Sequence, residues 1–505
     1  MHRAATTGLQ TIFQQRRAGV LLPITALPNH TQLPVKQTRQ AYGCGVFDSA
    51  CRFIDWIASA GFSVWQLLPL GPTHSDLSPY LCLSSLAGES HFIGLRWLQQ
   101  NELLDAQIEI STISHRAALI AAHNHFTQSS PDHHWHREYD RFCHEAHSWL
   151  HHFALFMALH QQYRQRPWYE WPAPLRDRHN DAIAAIERRL NDEIAQIKFA
   201  QFLFFKQWSV IRHYAEQKGI FLFGDMPMFV AHDSADVWAN RDYFKLNSEG
   251  QPQVVAGVPP DYFSSIGQRW GNPHYNWPRL QRDHFCWWIQ RLRRHLELFH
   301  LLRIDHFRGL DSAWEIPLTS HTAAIGQWQP APGKQLLSAL HRAVPELPLV
   351  AEDLGLITPE VTALRQQFRL PGMAVLQFAF DGNPDNPYLP DNLRQYSVLY
   401  TGTHDNDTSL GWFVSLSEQQ QQMITHYLHC APEDLPLALI KAALASVAQL
   451  AIIPLQDILG LGSEHRTNTP GTLGNNWLWR FQWQQLQAHK AQQLLVLNRR
   501  YGRCK

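Results

Sequence analysis

LLRIDHFRGL, residues 301–310, decides how the rest of the chain is read. Leu301 to Ile304 is mostly apolar, Asp305 interrupts the run, and Gly309 marks a turn. An apolar run without clean alternation fits a parallel strand buried on both faces, with its polar residues at one end. Working outward, seven more runs have this character: Gly19–Ile24, Ser63–Leu70, Ile220–Met226, Pro348–Leu354, Met373–Phe380, Ser397–Thr403 and Ala451–Ile458. Helix-like segments lie between them. In Phe47–Ala60 the residues Phe47, Cys51, Ile54 and Ile57 recur at helical spacing, and Thr358–Phe368 opens with a Thr358 cap and Pro359 at the first helical position. Strands alternating with helices indicate βα units and a parallel sheet, and eight such units imply a closed α/β barrel, the (β/α)8 TIM barrel.

The units are unevenly spaced. A plain βα unit needs about 31 residues, yet residues 71–219 separate the second and third runs. We expect a mainly helical inserted subdomain there, with Trp149–Tyr163 and Asp181–Gln217 as long helices. Residues 231–283 are rich in Pro, Gly, Asn and aromatics and read as an aromatic-rich loop insertion after the third strand. Residues 1–70 then begin the catalytic barrel and 220–505 complete it.

Composition removes several functions. Lys+Arg and Asp+Glu are equal at 43, so no excess of positive charge is available for nucleic acid. No stretch of about 18 apolar residues is present to span a membrane, and residues 1–17 lack a secretory apolar core. The 7 cysteines are scattered, without CxxC, which points to a reducing, cytoplasmic compartment rather than a disulfide framework or a zinc site.

In a barrel of this kind chemistry sits where the strands end. Carboxylates gather there: Asp225 after the third run, Asp305 after the fourth, Glu352 and Asp353 after the fifth, Asp381 after the sixth, Asp405 and Asp407 after the seventh. A single strand-end Asp is usually a cap or an ion pair. Several converging on one mouth suit glycoside chemistry, which needs one carboxyl at the anomeric carbon and another at the leaving oxygen. Residues i and i+2 of a strand share a face, so Arg303 can keep Asp305 ionised. Glu352 as an acid needs a raised pKa, which an apolar strand and neighbouring carboxylates supply.

These stretches resemble the amylomaltases, the 4-α-glucanotransferases of glycoside hydrolase family 77. The likeness is collinear over residues 18–480. It is carried by AGVLLPI from Ala18, VWQLLPLGPT from Val64, GDMPMFVAHDSADVW from Gly224 and GVPPDYFSSIGQRWGNPHYNW from Gly257, and continues through LLRIDHFRGL, AEDLGLITPEV from Ala351, LPGMAVLQFAFDG from Leu370, YTGTHDNDTSLGW from Tyr400 and IPLQDILGLGSEHRTNTPGTLGNNWLWR from Ile453. The resemblance implies a retaining enzyme that cleaves an α-1,4-glucosidic bond and passes the glucan from a covalent intermediate to another glucan or to glucose. It makes Asp305 similar to the family's nucleophile, Glu352 to its acid/base and Asp405 to its transition-state stabiliser. Arg303 and His404 correspond to neighbours that bind the sugar, Tyr80 to a stacking Tyr, and Asp225 and Asp381 to hydroxyl contacts. Tyr262, Phe263, Gln268 and Trp270 lie in a stretch like the family's acceptor-side loop. No metal and no organic cofactor is implied. The expected partners are maltooligosaccharides, glucose and other α-glucans, with no nucleic acid and no membrane, for a monomer or weak homo-oligomer.

The chain departs from the family pattern near the first two strand mouths. A longer stretch, Asn29–Ala41, follows Leu27-Pro28; Leu81 stands where a Gln usually follows the Tyr; and Glu89 replaces an Asn. Elsewhere, in the sixth run, Ala374 replaces a common Lys. Histidines crowd residues 115–160, and His147 and His151 stand at i and i+4, but no carboxylate spacing completes a metal site, so the segment reads as a solvated helical face. Two other readings stay open. A hydrolase would use the same acids, and a silent glucan-binding protein would be expected to lack one of them.

Overall fold

The computed structural model describes residues 9–28, 44–260, 266–472 and 474–505. Twelve strands occur among them: β1 (Arg17–Leu21), β2 (Val64–Gln66), β3 (Phe221–Pro227), β4 (Val254–Val258), β5 (Gln268–Pro273), β6 (Leu301–Asp305), β7 (Ser312–Pro317), β8 (Gln327–Pro330), β9 (Leu349–Ala351), β10 (Gly372–Val375), β11 (Ser397–Tyr400) and β12 (Leu450–Pro454). Eight of them form a parallel sheet in the order β10-β11-β12-β1-β2-β3-β6-β9, one for each of the eight apolar runs. One backbone bond, Ala351 N–H to the Pro371 carbonyl at 2.9 Å, joins the two ends into a barrel.

Alternate residues of each strand enter two different cores, which is why the runs lack polar alternation. Leu21, Val64, Phe223, Leu301, Val350, Val398 and Ile452 pack together inside the barrel. Val20, Leu222, Leu302, Leu349, Leu399 and Ile453 face the surrounding helices. The interior is filled to contact. A Cβ on Gly19 would lie 2.6 Å from Ile452 Cδ1 and 2.7 Å from the Val64 carbonyl. Gly19→Ala is therefore expected to destabilise the fold by about 1–3 kcal/mol through overpacking, read as a lower urea midpoint with an unchanged m-value.

Some runs leave the ladder earlier than expected. Of Met373–Phe380 only the first three residues lie in β10, and a 3-10 turn follows at Leu376–Phe378. Leu376 in that turn is as buried as a strand residue, so apolarity does not mark the change. The helices at Phe47–Ser59 and Pro359–Gln367 stand as read, and the Thr358 side chain accepts from Val361 N–H. In the insertion the helix His147–Gln162 forms, but the second expected helix is two, Asn180–Arg189 and Asn191–Gln217, broken at Leu190. The longer one packs on the barrel ring: Phe204 lies 5.2 Å from the Phe47 ring, and Trp208 Nε1–H donates to the Leu298 carbonyl at 2.9 Å.

The aromatic-rich insertion is more ordered than a loop. Its β4 and β5 join β7 and β8, which follow the fourth barrel strand, in an antiparallel sheet of order β5-β4-β7-β8. Its β5 packs against the chain just after β3 and β6: Asn272 Nδ2–H donates to the Val230 carbonyl at 2.9 Å, and Trp270 lies 4.9 Å from the His306 ring. The stretch Asn29–Ala41 lies outside the described residues. Among the described residues no helix is long and apolar enough to cross a membrane, and no three His, Cys, Asp or Glu side chains gather as a metal site.

Candidate active site

The site rests on three adjacent strands. Asp225 of β3 pairs with Arg303 of β6, and Ile304 pairs with Ala351 of β9. The next rung therefore sets Asp305 beside Glu352. Neighbouring strands lie about 4.8 Å apart, so the two carboxyls begin from backbones one strand spacing apart.

Arg303 ties the carboxylates together. Its Nη2 donates to Asp305 Oδ1 at 2.7 Å, and its Nη1 donates to Asp225 Oδ2, which also accepts Tyr80 O–H at 2.7 Å. Arg303 is 6 % exposed and Asp225 is fully buried. Burial works against the guanidinium's charge, but Asp225 and Asp305 outweigh it and hold its pKa well above the usual value. Breaking such a pair from one side would leave an uncompensated buried charge.

Glu352 is the carboxyl with a shifted proton. Burial, reinforced by Asp305 and opposed by Arg303, raises its pKa to about 7. Its Oε2 accepts His306 N–H at 2.8 Å and its Oε1 accepts Leu354 N–H at 3.0 Å. His306 reaches this position through a left-handed backbone, φ 54° and ψ 51°, directly after Asp305. Its ring meets Trp270 edge-on at 4.9 Å, and burial lowers its pKa to about 4, leaving a neutral imidazole. Trp270 Nε1–H donates to Gln268 Oε1 at 3.1 Å, so β5 brings both residues to the side of the mouth next to the two acids.

On the opposite side, Tyr80 stacks on His404 with centroids 5.1 Å apart and planes 16° from parallel, and Trp477 lies 6.0 Å from both rings. Asp405 Oδ1 accepts Asn468 Nδ2–H at 2.6 Å and lies 3.4 Å from His404 Nε2. Arg466 donates to the Asp405 carbonyl at 2.8 Å. The Asp405 side chain remains 46 % exposed.

Of the residues singled out from sequence, Asp305, Arg303, Asp225 and Tyr80 form one bonded group, and Glu352 stands beside Asp305, held by His306 N–H. Asp405 and His404 join it through the Tyr80 stack, and Trp270 and Gln268 through His306. Asp381 is not drawn in. It is exposed, and its Oδ1 accepts Asn383 N–H at 2.9 Å in a local turn. Tyr262 and Phe263 lie outside the described residues. The variant position Glu89 is satisfied locally, its carboxylate accepting His91 N–H at 2.9 Å. Sequence reasoning missed His306, Arg466, Asn468 and Trp477. His306 acts through its backbone, while the others sit inside the matched stretch after β12 without a pattern that marks them.

The family model described as 4-alpha-glucanotransferase matches residues 32–487. The chain belongs to this family, glycoside hydrolase family 77. It is 43 % identical over 510 residues to a 4-alpha-glucanotransferase of Synechocystis, covering 97 % of this chain and 99 % of that one. It is 45 % identical over 486 residues to a 4-alpha-glucanotransferase of Thermus thermophilus, covering 92 % and 94 %. Its structure matches the amylomaltase from Streptococcus agalactiae in complex with acarbose at a TM-score of 0.91 and 32 % identity, covering 97 % and 100 %. A glucanotransferase of this family is an enzyme of α-glucan transfer, and the carboxyl-lined mouth of the barrel is where such chemistry has its acids.

Proposed function

We propose that this enzyme disproportionates maltooligosaccharides by a retaining mechanism in which Asp305 is the nucleophile and Glu352 the acid/base. Asp305 attacks the anomeric carbon while Glu352 gives its proton to the departing glycosidic oxygen. The bond to the leaving glucan breaks as the Asp305–sugar ester forms. In the second half, Glu352 takes the proton from the 4-hydroxyl of an acceptor glucan or glucose, whose oxygen displaces Asp305. Asp405 stabilises the positive charge that develops on the ring. The observation that carries this reading is the placement of Asp305 and Glu352 side by side, one step beyond the Ile304–Ala351 pair of β6 and β9, with the Glu352 pKa at about 7. A group that donates and then accepts a proton works best when its pKa lies near the working pH.

The remaining residues fit binding roles. Tyr80, stacked on His404, offers an aromatic face to a glucose ring, and Asp225 and Arg303 form a charged floor. Trp270 and Gln268 line the acceptor side. The acarbose held by the amylomaltase of Streptococcus agalactiae supports an α-glucan substrate class.

Product analysis with maltotriose tests the reading. A ladder of longer glucans together with glucose is expected from the wild type and not from Glu352→Gln. Glucose and maltose alone would show hydrolysis with the same acids, and no product from folded wild-type enzyme would return the glucan-binding alternative.

A further inference from the structure

The barrel has one thin seam, and it runs beside Glu352. Its other strand pairs are ladders of at least two registered residues, but β9 pairs only with β6 and β10 only with β11 among the described residues. Across the seam Ala351 N–H bonds the Pro371 carbonyl at 2.9 Å. Two residues further on, a side chain replaces the missing rung: Asp353 Oδ1 accepts Met373 N–H at 2.7 Å. Its other oxygen, Oδ2, lies 3.0 Å from Arg365 Nε, and Arg365 Nη1 donates to the Leu370 carbonyl at 2.9 Å on the approach to β10. Both ends of this pair are largely shielded, 13 % and 11 % exposed. Gly372 is required where it stands, because a Cβ there would lie 2.5 Å from Asp353 Oδ2.

We propose that Asp353 is a positioning residue for glucan transfer, whose carboxylate, clasped between Met373 N–H and Arg365, closes the barrel beside Glu352 and fixes the Glu352 carboxyl against Asp305. The inference rests on the reading of Glu352 as acid/base. Glu352 is the first residue after β9, a strand of three residues. On the β6 side it is tied by its own N–H to the Ile304 carbonyl at 3.0 Å and by its carbonyl to Phe307 N–H at 3.1 Å. On the β10 side the next residue, Asp353, carries the connection. Removing that side leaves Glu352 free to move outward with its strand end. A displacement of about 1 Å at a reacting group can cost on the order of 100-fold in rate.

The charged groups acting on the Glu352 carboxyl are Arg303, Asp305 and Asp353. Those acting on Asp353 are Arg365 and Arg394, while burial holds its own pKa near 6. Asp353 is thus mostly ionised at pH 7, and it helps to keep the Glu352 proton on. Its removal should lower the Glu352 pKa and bring the alkaline fall of kcat to lower pH. An inert structural clasp predicts no such shift.

The test uses the full-length enzyme and maltotriose. Asp353→Asn keeps an acceptor for Met373 N–H and loses the charge. It should lower kcat about 10- to 100-fold, hold KM within about twofold, and move the alkaline limb of kcat to lower pH. Gly372→Ala presses on the same carboxylate from the facing strand and should lower kcat with KM equally unmoved. Arg365→Lys should keep more kcat than Arg365→Gln. Folded Asp353→Asn with wild-type kcat and an unmoved alkaline limb would overturn the proposal, as would a loss confined to KM. Should Asp353→Asn not fold, the Arg365 pair decides by the same readouts. Glu352→Gln run alongside separates the two ideas: wild-type turnover there would sink the acid/base reading itself.

Discussion

Asp305→Asn should lower the rate of maltotriose disproportionation by at least about 10⁴-fold, the order of loss seen when a nucleophile that forms a covalent intermediate is removed. The amide keeps the size and one acceptor oxygen of the carboxylate but cannot attack the anomeric carbon. The rest of the floor should survive, because Arg303 retains Asp225, and Asp225 retains Tyr80. The melting temperature should therefore change by only a few degrees while turnover vanishes. That separation matters, since Asp305 also closes an ion pair with Arg303. If the residue were only a structural partner, stability would fall and the surviving folded enzyme would turn over near the wild-type rate. Rate constants per folded molecule, measured alongside a thermal melt, decide between the two.

How much of this was open to reading from sequence depends on how locally each feature is encoded. The eight barrel strands were legible because Val20, Leu222 and Ile453 face helices while Leu21, Phe223 and Ile452 face the interior, so each strand is apolar throughout. The helix start at Thr358-Pro359 was legible for the same reason: cap and first turn are adjacent in the chain. Asp305, Glu352 and Arg303 stood out because a carboxylate or guanidinium at the end of a buried strand has to be paired. The break at Leu190 was present in the sequence and was overlooked: Asn191-Asp192-Glu193 is a helix start, with acidic residues in the first turn. The antiparallel sheet was of another kind. Trp314 of β7 faces Trp328 of β8, and β4 reaches β7 across the helix Cys286–Leu298 and the fourth barrel strand. No local pattern encodes such pairing. Asn468 likewise meets Asp405 from a loop 63 residues away. His306 contributes a backbone N–H, which is the same group in every residue but proline; only the left-handed turn aims it at Glu352.

Glu352→Gln should leave the first half-reaction possible only where the leaving group needs no proton. With maltotriose, loss of the general acid should cost about 10²–10⁴-fold. With α-maltosyl fluoride, whose fluoride departs unassisted, the first step should be largely spared. The second step still lacks its base, so the glycosyl ester on Asp305 should accumulate, and mass spectrometry of the digested enzyme should find one maltosyl unit on the peptide that contains residue 305. The pH dependence follows from the same proton. Wild-type kcat should fall as pH rises through about 7, where Glu352 loses its proton, and in Glu352→Gln this alkaline limb should disappear. Stability moves with it. A carboxyl whose pKa is raised on folding supports the native state below its unfolded value of 4.5 and withdraws that support as pH rises through the folded value of about 7. Glutamine carries no proton to lose, so the variant should melt higher than wild type at pH 8, and this advantage should shrink as pH falls toward 5. A variant that is inactive yet no more stable than wild type at pH 8 would mean that Glu352 ionises without cost, and that its proton is held by the substrate rather than by the buried site.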